Sequence, residues 1–113
     1  MKLRFSNVAR EDLKDIGDYI ARDNHHRARS FIEDIQRQCH RISEQPTLYP
    51  VRHALGERMR SCSFGRYVIF FSTNESSTEL LIHRILHSAM DIGKHLPAGS
   101  TPNMLSQNIA SYL

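Results

Sequence analysis

The side chains best suited to chemistry on an anionic group lie in one short stretch of this 113-residue chain and at one later position. Arg52, Arg58, Arg60 and Arg66 face a single acid, Glu57, across residues 51–70. Residues 1–50 carry nine basic and eight acidic side chains and residues 71–113 carry two and three, so that stretch accounts for the whole net charge of +3. Arginine presents a planar fork that matches phosphate and carboxylate, which makes an anionic partner the expectation. Arginines at strand ends also solvate a sheet edge, and the residue types alone leave both readings open. With His87 as acid or base near neutral pH, Arg58, Arg60 and Arg66 form a set able to bind a phosphodiester and stabilise developing charge. The structural reading instead makes Arg84 and His87 groups near a strand end, hydrogen-bonded to loop backbone or to Asp91.

Other chemistries find little support. Seven histidines invite a metal site, but His25 and His26 are adjacent at a helix start and His40, His53 and His95 stand alone. His83 and His87 share a strand parity, yet four residues of strand separate them by about 13 Å, too far for one zinc ion. No metal and no cofactor is expected. Gly-rich phosphate loops, a nucleophile elbow and an HExxH helix are missing from the sequence. The close acidic pair Glu11-Asp12 opens a helix, where carboxylates suit the dipole. Cys39 and Cys62 have no CxxC spacing and read as reduced thiols of a cytoplasmic protein.

The elements that position these groups follow from hydrophobic period. A charged fraction of 24% and 40% apolar residues describe one small globular domain, and no apolar run approaches the roughly 18 residues of a membrane span. The first residues alternate rather than build a secretory signal, so the expected compartment is the cytoplasm. Leu3 and Phe5 alternate with Lys2 and Arg4 as a short strand. After Ser6-Asn7, a helix start, Ala9, Leu13, Ile16 and Ile20 mark one helical face, and Ala28, Ile32, Ile35, Cys39 and Ile42 mark a second beyond the break Asp23–His26. Pro46 and Pro50 end helical structure. Glu57–Ser61 alternates as a strand with Arg58 and Arg60 on one face and Met59 on the other. Tyr67–Phe71 reads as a central strand buried on both faces, and Leu80–Leu86 as a further one. The order predicts an α+β fold: an N-terminal strand, an α-helical hairpin, then a three-strand antiparallel meander in one sheet, with the helices over one face. Residues 1–92 form this domain. The tail over 93–113, rich in Pro, Gly, Ser and Asn, is expected to be flexible or ordered by a partner.

The segment Arg84-Ile85-Leu86-His87-Ser88-Ala89-Met90-Asp91-Ile92 closely resembles the strand-and-exit motif of ParE toxins from bacterial toxin–antitoxin modules. Ala9, Asp12-Leu13, Ile16 and Tyr19-Ile20 are similar to that family's first helix, Ala28, Phe31 and Ile42 to its second. Pro46, Tyr49-Pro50, Met59-Arg60, Tyr67 and Ile69-Phe70-Phe71 follow in the family's order, so the resemblance spans about residues 3–92. It places the chain in the ParE/RelE superfamily and implies that family's fold.

Within the superfamily, RelE-type members cut messenger RNA on the ribosome, and characterised ParE-type members poison DNA gyrase. The nuclease pattern has a basic pair on the second strand, Arg opening the third, Arg or His ending the fourth and a late Tyr. Arg58, Arg60 and His87 can fill three of those roles as catalytic residues. The third-strand position holds Tyr67 instead, with Arg66 one residue off, and Ile92 stands where the late Tyr is found. The resemblance therefore implies a DNA gyrase inhibitor without catalytic residues, directed at the A-type polypeptide of gyrase, in a module of the plasmid-stabilization type. The alternatives are a ribosome-dependent mRNA endonuclease and a nontoxic corepressor that binds DNA only through its antitoxin. The resemblance also implies a ParD-like antitoxin in a hetero-oligomeric complex. Such a partner would offer acids to the arginines of residues 51–70, so Arg60 and Arg66 are expected to contact it, and Arg84, His87, Met90 and Asp91, with the tail after Ile92, are expected to contribute to target binding and toxicity.

Overall fold

The first helix begins where Ser6 satisfies its free amides. Ser6 is extended at φ −65° and ψ 160°, its Oγ accepts from Ala9 N at 2.9 Å, and the same hydroxyl donates to the His83 carbonyl at 2.8 Å. The structure, a computed structural model, describes residues 1–89; the tail over 93–113, with Met90 and Asp91, lies outside the described residues. Strand β1 (Lys2–Phe5) leads into helices α1 (Asn7–Ala21) and α2 (His25–Glu44). Asn24 caps α2 by accepting from Arg27 N at 3.0 Å. The two helices form the expected hairpin, close enough that a methyl group on Gly17 would sit 3.5 Å from Ile32. Two short 3₁₀ turns, Pro46–Leu48 and His53–Leu55, connect to β2 (Arg60–Phe64), β3 (Tyr67–Thr73) and β4 (Glu79–His87).

The four strands form one sheet in the order β1-β4-β3-β2. The antiparallel β2-β3-β4 meander is as read from the period, and β1 closes the far edge parallel to β4, pairing Phe5 with Ile82. The helices cover one face, where Ile16, Phe31, Ile35, Cys39 and Ile42 meet Cys62, Ile69, Phe71, Leu80, Ile82 and Ile85. The opposite face is covered by the chain before β2, with Leu55 and Met59 against Phe70 and Leu86. Ile69, Phe70 and Phe71 are all buried, as a central strand requires.

Two expectations are corrected. The second strand runs over 60–64, not 57–61: Glu57 and Arg58 belong to a turn after Gly56, whose φ of 144° breaks the extended run. Arg58 and Arg60 therefore do not share a strand face. Asp12 does not open its helix; with α1 starting at Asn7, it sits in the second turn, is 9% exposed and faces the sheet.

Candidate functional site

The site is built around a bulge in β4. Phe70 pairs with Arg84 but the next residue, Phe71, pairs with Ile82, so His83 is the extra residue. An extra residue shifts side-chain parity by one, and Ile82 and Ile85 consequently both face the helices. The same shift turns His87 to the helix side of the sheet, opposite its register partner Tyr67.

Beyond Ile82, β1 has already turned into α1, and the outer edge of β4 would lack partners. Asp12 supplies them. Its Oδ2 accepts from Ile85 N at 2.9 Å and from Arg84 Nε at 2.8 Å, and its Oδ1 accepts from Arg84 Nη2 at 2.9 Å. These hydrogen bonds hold the Arg84 guanidinium more firmly protonated than usual, against the opposing cost of burial. A buried carboxylate that accepts three bonds offsets the desolvation of both charges.

Past this seam, a cleft opens between α1 and the ends of β3 and β4. It has two lobes of about 270 and 310 Å³ that share Tyr19, Tyr67 and His87. Asp15 lines the first lobe, floored by Asp12 and Arg84, and Arg66 lines the second. The His87 ring stands edge-on to Tyr67, centroids 5.4 Å apart at 84°, and Tyr67 packs in turn against Phe31 at 5.7 Å. His87 Nδ1 accepts from Ala89 N at 3.1 Å, so the neutral ring carries its proton on Nε2 and offers a donor. Burial pushes the Tyr67 hydroxyl up, helped by nearby Tyr19, and keeps it protonated. Tyr19 itself is 66% exposed, with the Arg22 guanidinium over its ring at 5.9 Å.

Of the basic residues singled out in the sequence, Arg66 lines the cleft beside His87, whereas Arg58 and Arg60 lie elsewhere. Arg60 is at the opposite end of the sheet: it pairs with Phe71, whereas His87 pairs with Tyr67. Four residues along and two strands across put their Cα atoms about 16 Å apart. The Arg60 guanidinium donates to the Tyr49 carbonyl. Arg58 lies farther out and meets Glu75 at 3.8 Å on an exposed surface. Arg66 is exposed in the two-residue β2–β3 turn beside Gly65, whose φ of 58° suits glycine, and its carbonyl accepts from Ser88 N at 2.8 Å. Of the target-binding candidates, Arg84 is committed to Asp12, His87 lines the cleft, and Met90 and Asp91 fall outside the described residues. Residue types and spacing alone do not find Asp15, Tyr19 and Tyr67 as site residues. An exposed tyrosine on the polar side of an amphipathic helix is the one signal that singles out Tyr19.

Two further sets, one half-buried and one centred on buried thiols, lie away from the cleft. His83 Nε2 lies 2.6 Å from Ser72 Oγ on the other face, and burial lowers its pKa from 6.5. Cys39 and Cys62 are free and buried, and burial, with Cys62 nearby, pushes the Cys39 thiol up to about 12. Burial also raises Cys62, against the hydrogen bond from Gln38 at 3.3 Å. Among the described residues no three His, Cys, Asp or Glu side chains are grouped to hold a metal ion, and no helix is long and apolar enough to cross a membrane.

Residues 3–92 match the family model of the ParE toxin of the type II toxin–antitoxin system parDE. Among solved structures, the chain is similar to one from the chromosomal ParDE toxin–antitoxin system of P. aeruginosa, with 21% identity, a TM-score of 0.65 and coverage of 77% of this chain and 95% of that one. It is also similar to a chain of a RelBE toxin–antitoxin complex from Mycobacterium tuberculosis, with 21% identity, a TM-score of 0.57 and coverage of 76% and 95%. No curated protein sequence matches the chain significantly.

Proposed function

Because the chain belongs to the ParE toxin family of type II toxin–antitoxin systems, we propose that it is a cytoplasmic toxin that inhibits DNA gyrase by binding, without catalytic chemistry. A cognate ParD-like antitoxin neutralises it by direct contact. The observation that supports a binding mode of action is the separation of the basic residues. A phosphodiester-cleaving site needs its base, acid and charge-stabilising groups within hydrogen-bond reach of one scissile phosphate. Here Arg84 is spent on Asp12, Arg58 and Arg60 lie at the far end of the sheet from His87, and the Nδ1 lone pair of His87 is in use, which leaves Arg66 as the one arginine beside His87 without another commitment among the described residues.

The test is expression of the chain alone in a bacterial host, with parallel mapping of gyrase-linked DNA breaks and new mRNA 5′ ends. Breaks with SOS induction and intact mRNA are expected. Codon-phased mRNA cleavage would overturn the reading and make Arg58, Arg60 and His87 the residues to mutate. Normal growth despite soluble expression would reduce the protein to an antitoxin-binding corepressor.

A further inference from the structure

The cleft beside the Asp12–Arg84 seam carries more chemistry than a structural seam needs, and that chemistry is arranged along a line. At one end Asp15 contributes a carboxylate, an acceptor. In the middle stand two phenol rings and an imidazole, Tyr19, Tyr67 and His87, which both lobes share. At the other end Arg66 contributes a guanidinium, and among the described residues it has no acidic partner. His87 adds an Nε2 donor, because its Nδ1 is already held by the Ala89 amide. The deeper charges, Asp12 and Arg84, cancel each other. A ligand complementary to this line has a hydrogen-bond donor at one end, a flat ring in the middle and an anion at the other.

We propose that the cleft binds a nucleotide whose base carries an exocyclic amine. The amine donates to Asp15, the base lies against the Tyr19 and Tyr67 rings, and the phosphate meets Arg66 and the His87 Nε2–H. Aromatic rings beside arginine are how proteins hold an unstacked base and its phosphate. The lobe volumes of about 270 and 310 Å³ are at the small end of ligand sites, the scale of one nucleotide rather than a longer strand. The site is preformed. The β4 bulge fixes His87 on the helix side, Tyr67 is braced by Phe31, and Asp12 ties α1 to β4 at the floor. No bond is made or broken in the bound ligand. The inference does not depend on the toxin's target, since it concerns occupancy of the cleft and not the lesion in the cell.

Guanosine 5′-monophosphate titrated into the full chain, followed by NMR and calorimetry, tests this directly. Saturable shifts are expected at the Ala89 amide, the His87 imidazole and the Tyr19 and Tyr67 rings. Guanosine and inorganic phosphate should each bind at least about tenfold more weakly than the monophosphate, because each engages one half of the line. Uridine 5′-monophosphate, which has no exocyclic amine, should bind severalfold more weakly. Arg66→Ala should weaken the monophosphate about tenfold and leave guanosine unchanged. Tyr19→Ala should weaken both by about fivefold or more. Arg66 and Tyr19 are exposed, so both variants keep the fold. A single-stranded trinucleotide that binds more than tenfold tighter than the monophosphate identifies a nucleic-acid strand as the source of the nucleotide; equal affinity identifies the free nucleotide. The proposal is overturned if millimolar monophosphate leaves these signals unmoved, or if Arg66→Ala and Tyr19→Ala both bind like the parent. It is equally overturned if an acidic peptide moves the cleft signals and the nucleotide does not.

Discussion

Arg84 floors one lobe of the cleft and Arg66 lines the other, and the two are used in opposite ways. Arg84 is 16% exposed in its side chain and has a bidentate carboxylate partner from an element 72 residues away. Arg66 stands exposed in a tight turn, held by its backbone. The α1–β4 seam is a region where charge is consumed by the fold, and the β2–β3 turn is one where charge is left exposed. Net charge located the second region. It said nothing of the first, because an ion pair adds zero to the sum.

The sharpest way to break that contrast is to remove the partner at the seam. Asp12→Ala leaves a buried guanidinium and the Ile85 amide unpaired, and should cost about 3–5 kcal/mol of stability, read by chemical denaturation. The paired change Asp12→Leu with Arg84→Met removes both charges together and should recover most of that loss. If the double variant is no more stable than Asp12→Ala alone, the seam is not an ion pair in the energetic sense. Reversing charge at both Arg66, in the β2–β3 turn, and Arg60, at the far end of the sheet, should weaken binding of the cognate antitoxin at least about tenfold, roughly 1.4 kcal/mol, in a calorimetric titration of the folded variant. Unchanged affinity would remove both residues from the antitoxin interface.

The third prediction concerns pH. Burial lowers the folded-state pKa of His83 below its unfolded value of 6.5, so the unfolded chain takes up a proton first as pH falls. The stability that this neutral histidine contributes is therefore present above about pH 6.5 and declines as pH drops toward the folded pKa. His83→Gln, which keeps a hydrogen-bond partner for Ser72, should flatten that part of the pH–stability curve. The smallest effect should come from Arg58→Ala. Its contact with Glu75 at 3.8 Å is solvent-exposed, and such pairs contribute about 0.5 kcal/mol or less.

These differences follow what a sequence can carry. Both helices are legible because a stripe of apolar residues at helical period needs only local information, and Ser6 and Asn24 mark their starts. Tyr67–Phe71 is legible as a buried strand because its composition admits little else. The second strand reads three residues early because Arg58, Met59, Arg60 and Ser61 alternate on both sides of the true boundary. The strand starts where β3 supplies a partner, and the tight turn at Gly65-Arg66 fixes which residue that is. Asp12 reads as a helix-start charge because its partner lies 72 residues on. The bulge at His83 leaves no local mark at all, although it decides which way His87 points. The cleft is half visible, through Arg66 and His87, and its aromatic wall is not.

The pairing of β1 with β4 sets the order in which this protein comes into being. Strand β1 has no neighbour until β4 arrives, since Phe5 meets Ile82 and the Ser6 hydroxyl meets the His83 carbonyl. At about 5–20 residues per second, the ribosome takes roughly 4–15 s to travel that distance. During that interval α1 and α2 have no complete sheet to pack on, Asp12 has no arginine, and the cleft does not exist. A chain released before β4 is made therefore has neither the seam that ties α1 to the sheet nor the cleft beside it.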